Sequence, residues 1–296
     1  MRNTQVVFLT SCLLASCVGP GLLTDGSSVS VGHHSRGALR HGISMPLRGE
    51  GFIIPQIWRE RKRTYATDEM VQLLVRTARR VRRSHGRSSF GIADLSEKSG
   101  GPALPEHGSH HSGRDVDLIF HALNLSGRPI VPKLMIAYNA KGMAIPPKVK
   151  EPDAGPPREG EGFPPPFVPR RLDVARTWGL VKAIATDPYV PVQWIFIGRP
   201  IIRLLLAHAR KIREPQYLIE RIARVMHQPG DASPHIDHMH VRIYCSLADR
   251  YQGCQDRGPG RWFKKTLKYT RLSYARPGAL ASDKLLKLPF PIGSLL

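Results

Sequence analysis

Acidic residues are scarce. The chain of 296 residues carries 23 Asp and Glu against 44 Lys and Arg, a formal net charge of +21. Such an excess favours polyanionic partners and says nothing about fold. Cysteine is scarce too, with four residues, too few for a disulfide scaffold. Aromatic residues make up 7%. They are not interleaved with the basic residues as a nucleic-acid surface would require, and no nucleic-acid-binding motif accompanies the charge. Long apolar runs are missing beyond the first residues. The best candidate, Trp194–Ala209, is broken by Arg199, Pro200 and Arg203, whereas a membrane-spanning helix needs ~20 consecutive apolar residues. A core is not lacking: 41% hydrophobic and 23% charged residues fit a globular chain, read as one substantial domain with extensions or two small ones. Gly 27 and Pro 26 call for abundant loops.

The N-terminus reads as an export signal. Arg2 supplies a short positive region and Val6–Ala15 an apolar run, too short to span a bilayer and suited to the middle of a signal peptide. The run ends in Leu14-Ala15-Ser16-Cys17, which resembles a bacterial lipobox and makes Cys17 the candidate lipidation site. Leu9-Thr10-Ser11-Cys12 fits the same pattern but leaves too little apolar sequence before it. The expected organisation is a signal peptide over 1–16, a tether over 17–28, a main domain over 29–256 and a basic extension over 257–296. Val18, in place of an aspartate after Cys17, favours the outer over the inner membrane. Export argues further against a nucleic-acid role. It also leaves Cys245 and Cys254 in an oxidising compartment, where they could pair across a short loop or stay as two free thiols.

Periodicity places the elements. Thr67–His85 is the clearest helix, with Thr67 as cap, Asp68 and Glu69 in the first turn, and Met70, Leu73, Leu74, Thr77, Ala78 and Val81 as its apolar stripe. Arg76, Arg79, Arg80, Arg82 and Arg83 crowd its other face and its end, either as a solvated surface or as a patch for an anionic polymer. Short apolar runs predict strands at Phe90–Leu95, Val116–Phe120, Leu134–Tyr138, Val192–Ile197 and His238–Tyr244. Helices are expected over Leu172–Thr186, Ile201–Ile212 and Pro215–His227. Residues 145–169 are rich in Pro and Gly without periodicity, an exposed insertion.

Six of the 13 histidines fall in two short stretches. The first is His107-Gly108-Ser109-His110-His111-Ser112-Gly113-Arg114-Asp115-Val116-Asp117, and the second is His235-Ile236-Asp237-His238-Met239-His240. Imidazole nitrogen and carboxylate oxygen are zinc ligands, and a catalytic site uses three of them. On a strand, His238, His240, Arg242 and Tyr244 share one face, while Met239, Val241 and Ile243 turn to the core. Asp117 sits in an otherwise apolar strand, where a carboxylate needs a partner. Gly108 and Gly113 suit a tight loop that returns His110 to that strand.

His107-x-x-His110-x-x-Gly113-x-Asp115-Val116-Asp117 and His235-x-x-His238-x-His240-Val241-Arg242 together resemble the paired signatures of the penicillin-insensitive murein endopeptidases, a branch of the zinc peptidases. Gly91–Gly101 and Ala185-Thr186-Asp187-Pro188 echo the same family. The resemblance runs loosely from Ser28 to Asp256. It implies one zinc ion held by His110, Asp117 and His240. It also implies a catalytic His238 and two further active-site histidines, His107 and His235. Asp115 and Asp237 match motif positions and are read as groups that orient imidazoles. Cys245 and Cys254 resemble a disulfide pair of the family. His111 departs from the pattern, as a surplus residue or an alternative ligand.

The expected fold is α+β: a small, mainly antiparallel sheet bearing the zinc site, flanked by helices and rich in loops. The expected activity is zinc-dependent hydrolysis of D-Ala–meso-diaminopimelate cross-links of peptidoglycan in the periplasm. The expected partners are peptidoglycan, anionic envelope polymers held by the basic surface, and a membrane reached through the N-terminal lipid alone. Competing readings are a D,D- or L,D-carboxypeptidase acting on peptidoglycan stems and a catalytically inactive wall-binding zinc lipoprotein.

Overall fold

A computed structural model describes residues 26–86, 88–101, 108–131, 133–147, 167–230 and 233–258. The export signal, Cys17, most of the tether, His107, most of the Pro/Gly-rich insertion and nearly all of the basic extension lie outside the described residues.

A seven-stranded sheet organises the described chain. From one edge to the other run Met226–His227, Val192–Phe196, His238–Ile243, Asp115–Ile119, Phe90–Ile92, Phe52–Ile53 and Arg48–Gly49. Four of its six pairings are antiparallel, and those of Val192–Phe196 with Met226–His227 and of Phe90–Ile92 with Phe52–Ile53 are parallel. The α+β reading holds. The sheet is larger than expected because strands of two or three residues, too short to show a period, extend it at both sides.

Register gives the sheet two chemically different faces. Met239 pairs with Leu118 and Val241 with Val116, while His240 pairs with Asp117 and Arg242 with Asp115. Residues directly opposite share a face, and neighbours along a strand alternate. The apolar set joins one core with Met70, Leu73 and Leu74 of helix Asp68–His85 and with Trp178, Val181 and Ile184 of helix Val174–Ala185. Each fully buried aliphatic side chain contributes roughly 1.5–3 kcal/mol. The ionisable set lies on the opposite face. That face is not open, as the simple alternation implied: His240 and Arg242 are both buried.

The long helix starts and stops where expected. Thr67 accepts a hydrogen bond from the Met70 N–H, and Gly86 follows the last turn at φ 71°. Its arginines divide into two groups. Arg76 grips Asp187 through Nε and Nη2, both at 2.8 Å, and Arg80 donates to the Ala183 and Thr186 carbonyls at the end of Val174–Ala185. These two fasten the helices together, while Arg79 and Arg83 line the recess beside them.

Several boundaries differ from expectation for local reasons. No strand forms over Leu134–Tyr138. Asn139 Oδ1 instead accepts from the Lys141 and Met143 N–H groups and closes a turn, so Tyr138 meets Ala144 in a single bridge. Helix Arg199–Lys211 starts two residues early because Pro200 fits its first turn. Helix Gln216–Val225 ends two residues early, and Met226–His227 becomes the parallel edge strand.

The sequence reading missed a hairpin, Val29–His33 with Arg36–Arg40. Its two-residue connection, His34-Ser35, lacks the Asn-Gly or Gly signature of such turns. Gly32 exchanges backbone hydrogen bonds with Gly253 and Gln255, so the hairpin rests on the segment closed by the Cys245–Cys254 disulfide. Arg114 completes the seam from inside. It is buried and donates to Ser30 Oγ, the Ile243 and Gln255 carbonyls and Asp256.

Asp249 lies in the same seam, in the short helix Leu247–Tyr251. Burial, reinforced by the nearby Glu69 carboxylate, pushes its carboxyl up to about 6. The folded state therefore holds this proton more tightly than the unfolded chain does, and the stability that comes with it is lost as pH rises from about 4 through 6. Asp249→Asn keeps the shape and removes the titration. Melting temperatures measured across that interval should fall less steeply for the variant than for the wild type.

Candidate metal centre

Two adjacent strands and one loop build the centre. Asp117 comes from the middle of Asp115–Ile119, and His240 lies directly across from it on His238–Ile243. His110 arrives on the loop before Asp115, which turns back through Gly113. The Gly113 carbonyl accepts from Thr67 N–H, and its own N–H donates to Ser96 Oγ. Gly113 has φ 74°, and a Cβ there would come within 2.7 Å of Leu39 Cδ1. His110 itself adopts φ 70°, a conformation that costs a non-glycine residue about 1 kcal/mol and is typical of positions held for function.

His110, Asp117 and His240 are all buried, and each offers one ligand atom within 4.8 Å of the others. His110 Nε2 is 3.4 Å from Asp117 Oδ2, and His240 Nδ1 is 2.9 Å from Asp117 Oδ1. Ligand bonds of about 2.0–2.2 Å in a tetrahedral arrangement imply donor separations of roughly 3.3 Å, so this cluster fits a small divalent ion. Two imidazoles and one carboxylate are also a zinc-type donor set, with room for a fourth, non-protein ligand. The structure thus brings together the three residues that the family resemblance implied as ligands. His111 is not brought into it.

A chain of groups positions His240 from behind. Arg242 Nε donates to Asp115 Oδ1 at 2.6 Å, and the same oxygen lies 2.7 Å from His240 Nε2. The imidazole is thereby turned so that Nδ1 faces the cluster. Burial opposes ionisation of Asp115, but Arg242 and His240 outweigh it and hold the carboxyl well below the ordinary range. Asp117 is held low in the same way, burial being overcome by His110 and His238. Burial also opposes charge on His240, yet Asp115 and Asp117 raise its pKa to about 9. A proton and a divalent cation answer the same buried carboxylates, and binding the cation releases the proton. Asp115→Asn should therefore weaken metal binding by about 10–100-fold, the usual cost of losing such a supporting group. Competition with a chromophoric chelator would measure it.

Two more histidines border the triad. His238 Nε2 is 3.7 Å from Asp117 Oδ1, and its Nδ1 is 2.8 Å from Asp237 Oδ1. Its side chain is 18% exposed against 2% and 7% for His110 and His240, so solvent reaches it, as it does the half-buried His235, while the two triad histidines are shut off. The His235 ring lies 4.9 Å from His238 and 6.1 Å from His240. Burial, with help from those two neighbours, lowers its pKa to about 4.

The structure adds groups that the sequence reading left without a role. Arg242 follows His240 by two residues, so the strand period that placed the two together could have marked it as a partner of Asp115. Asp94 is buried and paired with Arg61 at 2.9 Å, and the Asp94 carbonyl accepts from Asp117 N–H. No local pattern signals that pairing, which joins residues far apart in sequence.

A buried histidine–carboxylate triad on one face of a mixed, mainly antiparallel sheet, with a more open histidine at its rim, is a centre suited to metal-assisted hydrolysis. Comparison with known families agrees. Residues 30–134 match the model of the penicillin-insensitive murein endopeptidase family. The match takes in His110, Asp115 and Asp117, while the second histidine cluster lies beyond it. No curated protein matches the chain.

Proposed function

We propose that the protein is a zinc-dependent endopeptidase that hydrolyses D-Ala–meso-diaminopimelate cross-links of peptidoglycan. The observation that carries this reading is the buried His110–Asp117–His240 triad with His238 at its open side, in a chain whose residues 30–134 match a murein endopeptidase family. The N-terminal pattern adds a location: the periplasm, with Cys17 as a lipid anchor in the outer membrane.

When bound, zinc supplies Lewis-acid polarisation of a carbonyl and makes water nucleophilic near neutral pH. The chain's own groups do the rest. His110, Asp117 and His240 hold the ion, and Asp115 and Arg242 fix the His240 ring. A hydrogen on His238 Nδ1, donated to Asp237, leaves Nε2 as the acceptor that faces the reacting groups. His238 then takes the proton of the attacking water and passes it to the leaving amine. His235 stands behind it and is assigned a supporting part, together with His107 by its motif position. No serine or cysteine nucleophile is required.

Purified cross-linked muropeptide dimers test the reading. Incubation with the mature protein should convert dimer to monomer, a chelator should stop the conversion, and added zinc should restore it. Dimers left intact while free stem termini are trimmed would replace the endopeptidase with a carboxypeptidase. Intact dimers and stems in the presence of bound zinc would leave a wall-binding lipoprotein.

A further inference from the structure

The face that carries the metal triad does not end at His240. Phe196 pairs with His240 across the sheet, and Trp194 pairs with Arg242. His227 pairs with Phe196 on the other side. Register therefore sets one row, Asp117, His240, Phe196 and His227, and beside it a second, Asp115, Arg242 and Trp194. Toward the sheet edge the ionisable centre gives way to rings. Phe196 lies 5.4 Å from His240 and 6.1 Å from His235, Trp194 5.9 Å from Phe196, and His227 5.1 Å from Trp194, centroid to centroid. Trp194 and Phe196 are half-exposed and His227 is exposed, while Ile195 between the two aromatic residues is fully buried.

The shelf is held in place. The Arg242 guanidinium lies 5.4 Å from the centre of the Phe196 ring. Gln193 Nε2 donates to the Arg257 carbonyl at 2.9 Å, and this seats the chain beside the indole of Trp194. Rings fixed in this way lose little freedom when a ligand covers them. Half-exposed aromatic side chains joined to a reaction centre are also out of place as mere core filling, since the apolar core lies on the opposite face of the sheet.

We propose that Trp194, Phe196 and His227 form a substrate subsite for a pyranose ring of the glycan strand; this rests on the peptidoglycan reading above. A pyranose offers an apolar C–H face that matches the electron-rich face of an indole, and a polar rim. The stem peptide is a poorer match. Its carboxylates call for cations, and neither Trp194 nor Phe196 carries charge. Reach also fits. Four extended peptide residues span at most ~14 Å, and the ring-to-ring steps from His240 through Phe196 to Trp194 are 5.4 and 5.9 Å. The sugar that bears the cleaved stem can therefore lie on the shelf while its peptide crosses the centre.

The test compares two dimers in the full-length protein, one with its disaccharides and one from which an amidase has removed them. Trp194→Ala should raise KM for the sugar-bearing dimer on the order of tenfold, leave kcat within about twofold, and leave the sugar-free dimer unaffected. Trp194→Phe should recover most of the loss. Equal losses on both dimers, or none on either, overturn the proposal. If the wild type cleaves neither dimer, the endopeptidase reading has failed, and tryptophan fluorescence decides the shelf by itself. A saturable change with a soluble N-acetylated glycan oligomer, absent in Trp194→Ala, supports it, and no change overturns it.

Discussion

His240→Ala is expected to lose bound metal and cleavage together. His240 is the pivot of the centre. It provides the one ligand nitrogen that sits on the same sheet as Asp117, and it lies between the two buried carboxylates Asp115 and Asp117. Without the imidazole, the remaining donors are one histidine on a loop and one carboxylate, too few to hold zinc against dialysis. Bound zinc should fall below about 0.1 per chain, because affinity depends on the complete deprotonated ligand set. Cleavage of cross-linked dimers should fall by on the order of a thousandfold or more, since the metal contributes several kcal/mol and each 1.36 kcal/mol is tenfold. Elemental analysis of the dialysed protein and chromatography of dimer digests read the two effects. A variant that keeps one zinc per chain would remove His240 from the ligand set, however low its activity.

Much of this centre was legible in the sequence, for a definite reason. The strand period is two, so HxH and DxD each place a pair of side chains on one face, and the loop glycines mark where His110 can return. Those rules brought His110, Asp117 and the His238/His240 pair forward as candidates, and the choice of His110, Asp117 and His240 as the ligand set came from the resemblance to the endopeptidase family. They could not say which strands lie side by side. Pairing of Phe196 with His240, and of Trp194 with Arg242, depends on long-range register, which local patterns do not encode. The aromatic shelf therefore stayed hidden, although Trp194 and Phe196 were visible in an assigned strand and His227 at the end of an assigned helix. The N-terminal hairpin escaped for the opposite reason. It is local, but His34-Ser35 carries none of the usual turn chemistry, and Gly32 and Arg114 hold it through contacts with residues more than 100 positions away. The arginine face of the long helix shows a third limit. Sequence gives the stripe, but only packing shows that Arg76 and Arg80 are engaged with the neighbouring helix and its following loop while Arg79 and Arg83 line the recess.

His238→Ala should separate catalysis from metal binding. His238 stands on the same strand as His240 and on the same face, yet its surroundings differ. Its Nε2 lies 3.7 Å from Asp117 Oδ1, longer than a hydrogen bond, and its ring is partly exposed. Asp237, bound to its Nδ1 at 2.8 Å, aims the opposite nitrogen toward the centre. That geometry suits a group that handles a proton beside the ion better than a fourth ligand. The variant should keep one zinc per chain and lose about 10²–10⁴-fold in kcat, the usual contribution of a positioned acid–base group. KM should change little, because the shelf and the metal remain. Asp237→Asn should show the same pattern more weakly, since it disturbs the orientation of the ring and not its presence. Zinc content, kcat and KM measured on the same preparations distinguish the assignments. Loss of zinc in His238→Ala would make it a ligand. Full zinc with unchanged kcat would move the proton transfer to another group, and His235, the next imidazole at 4.9 Å, would be the first to replace.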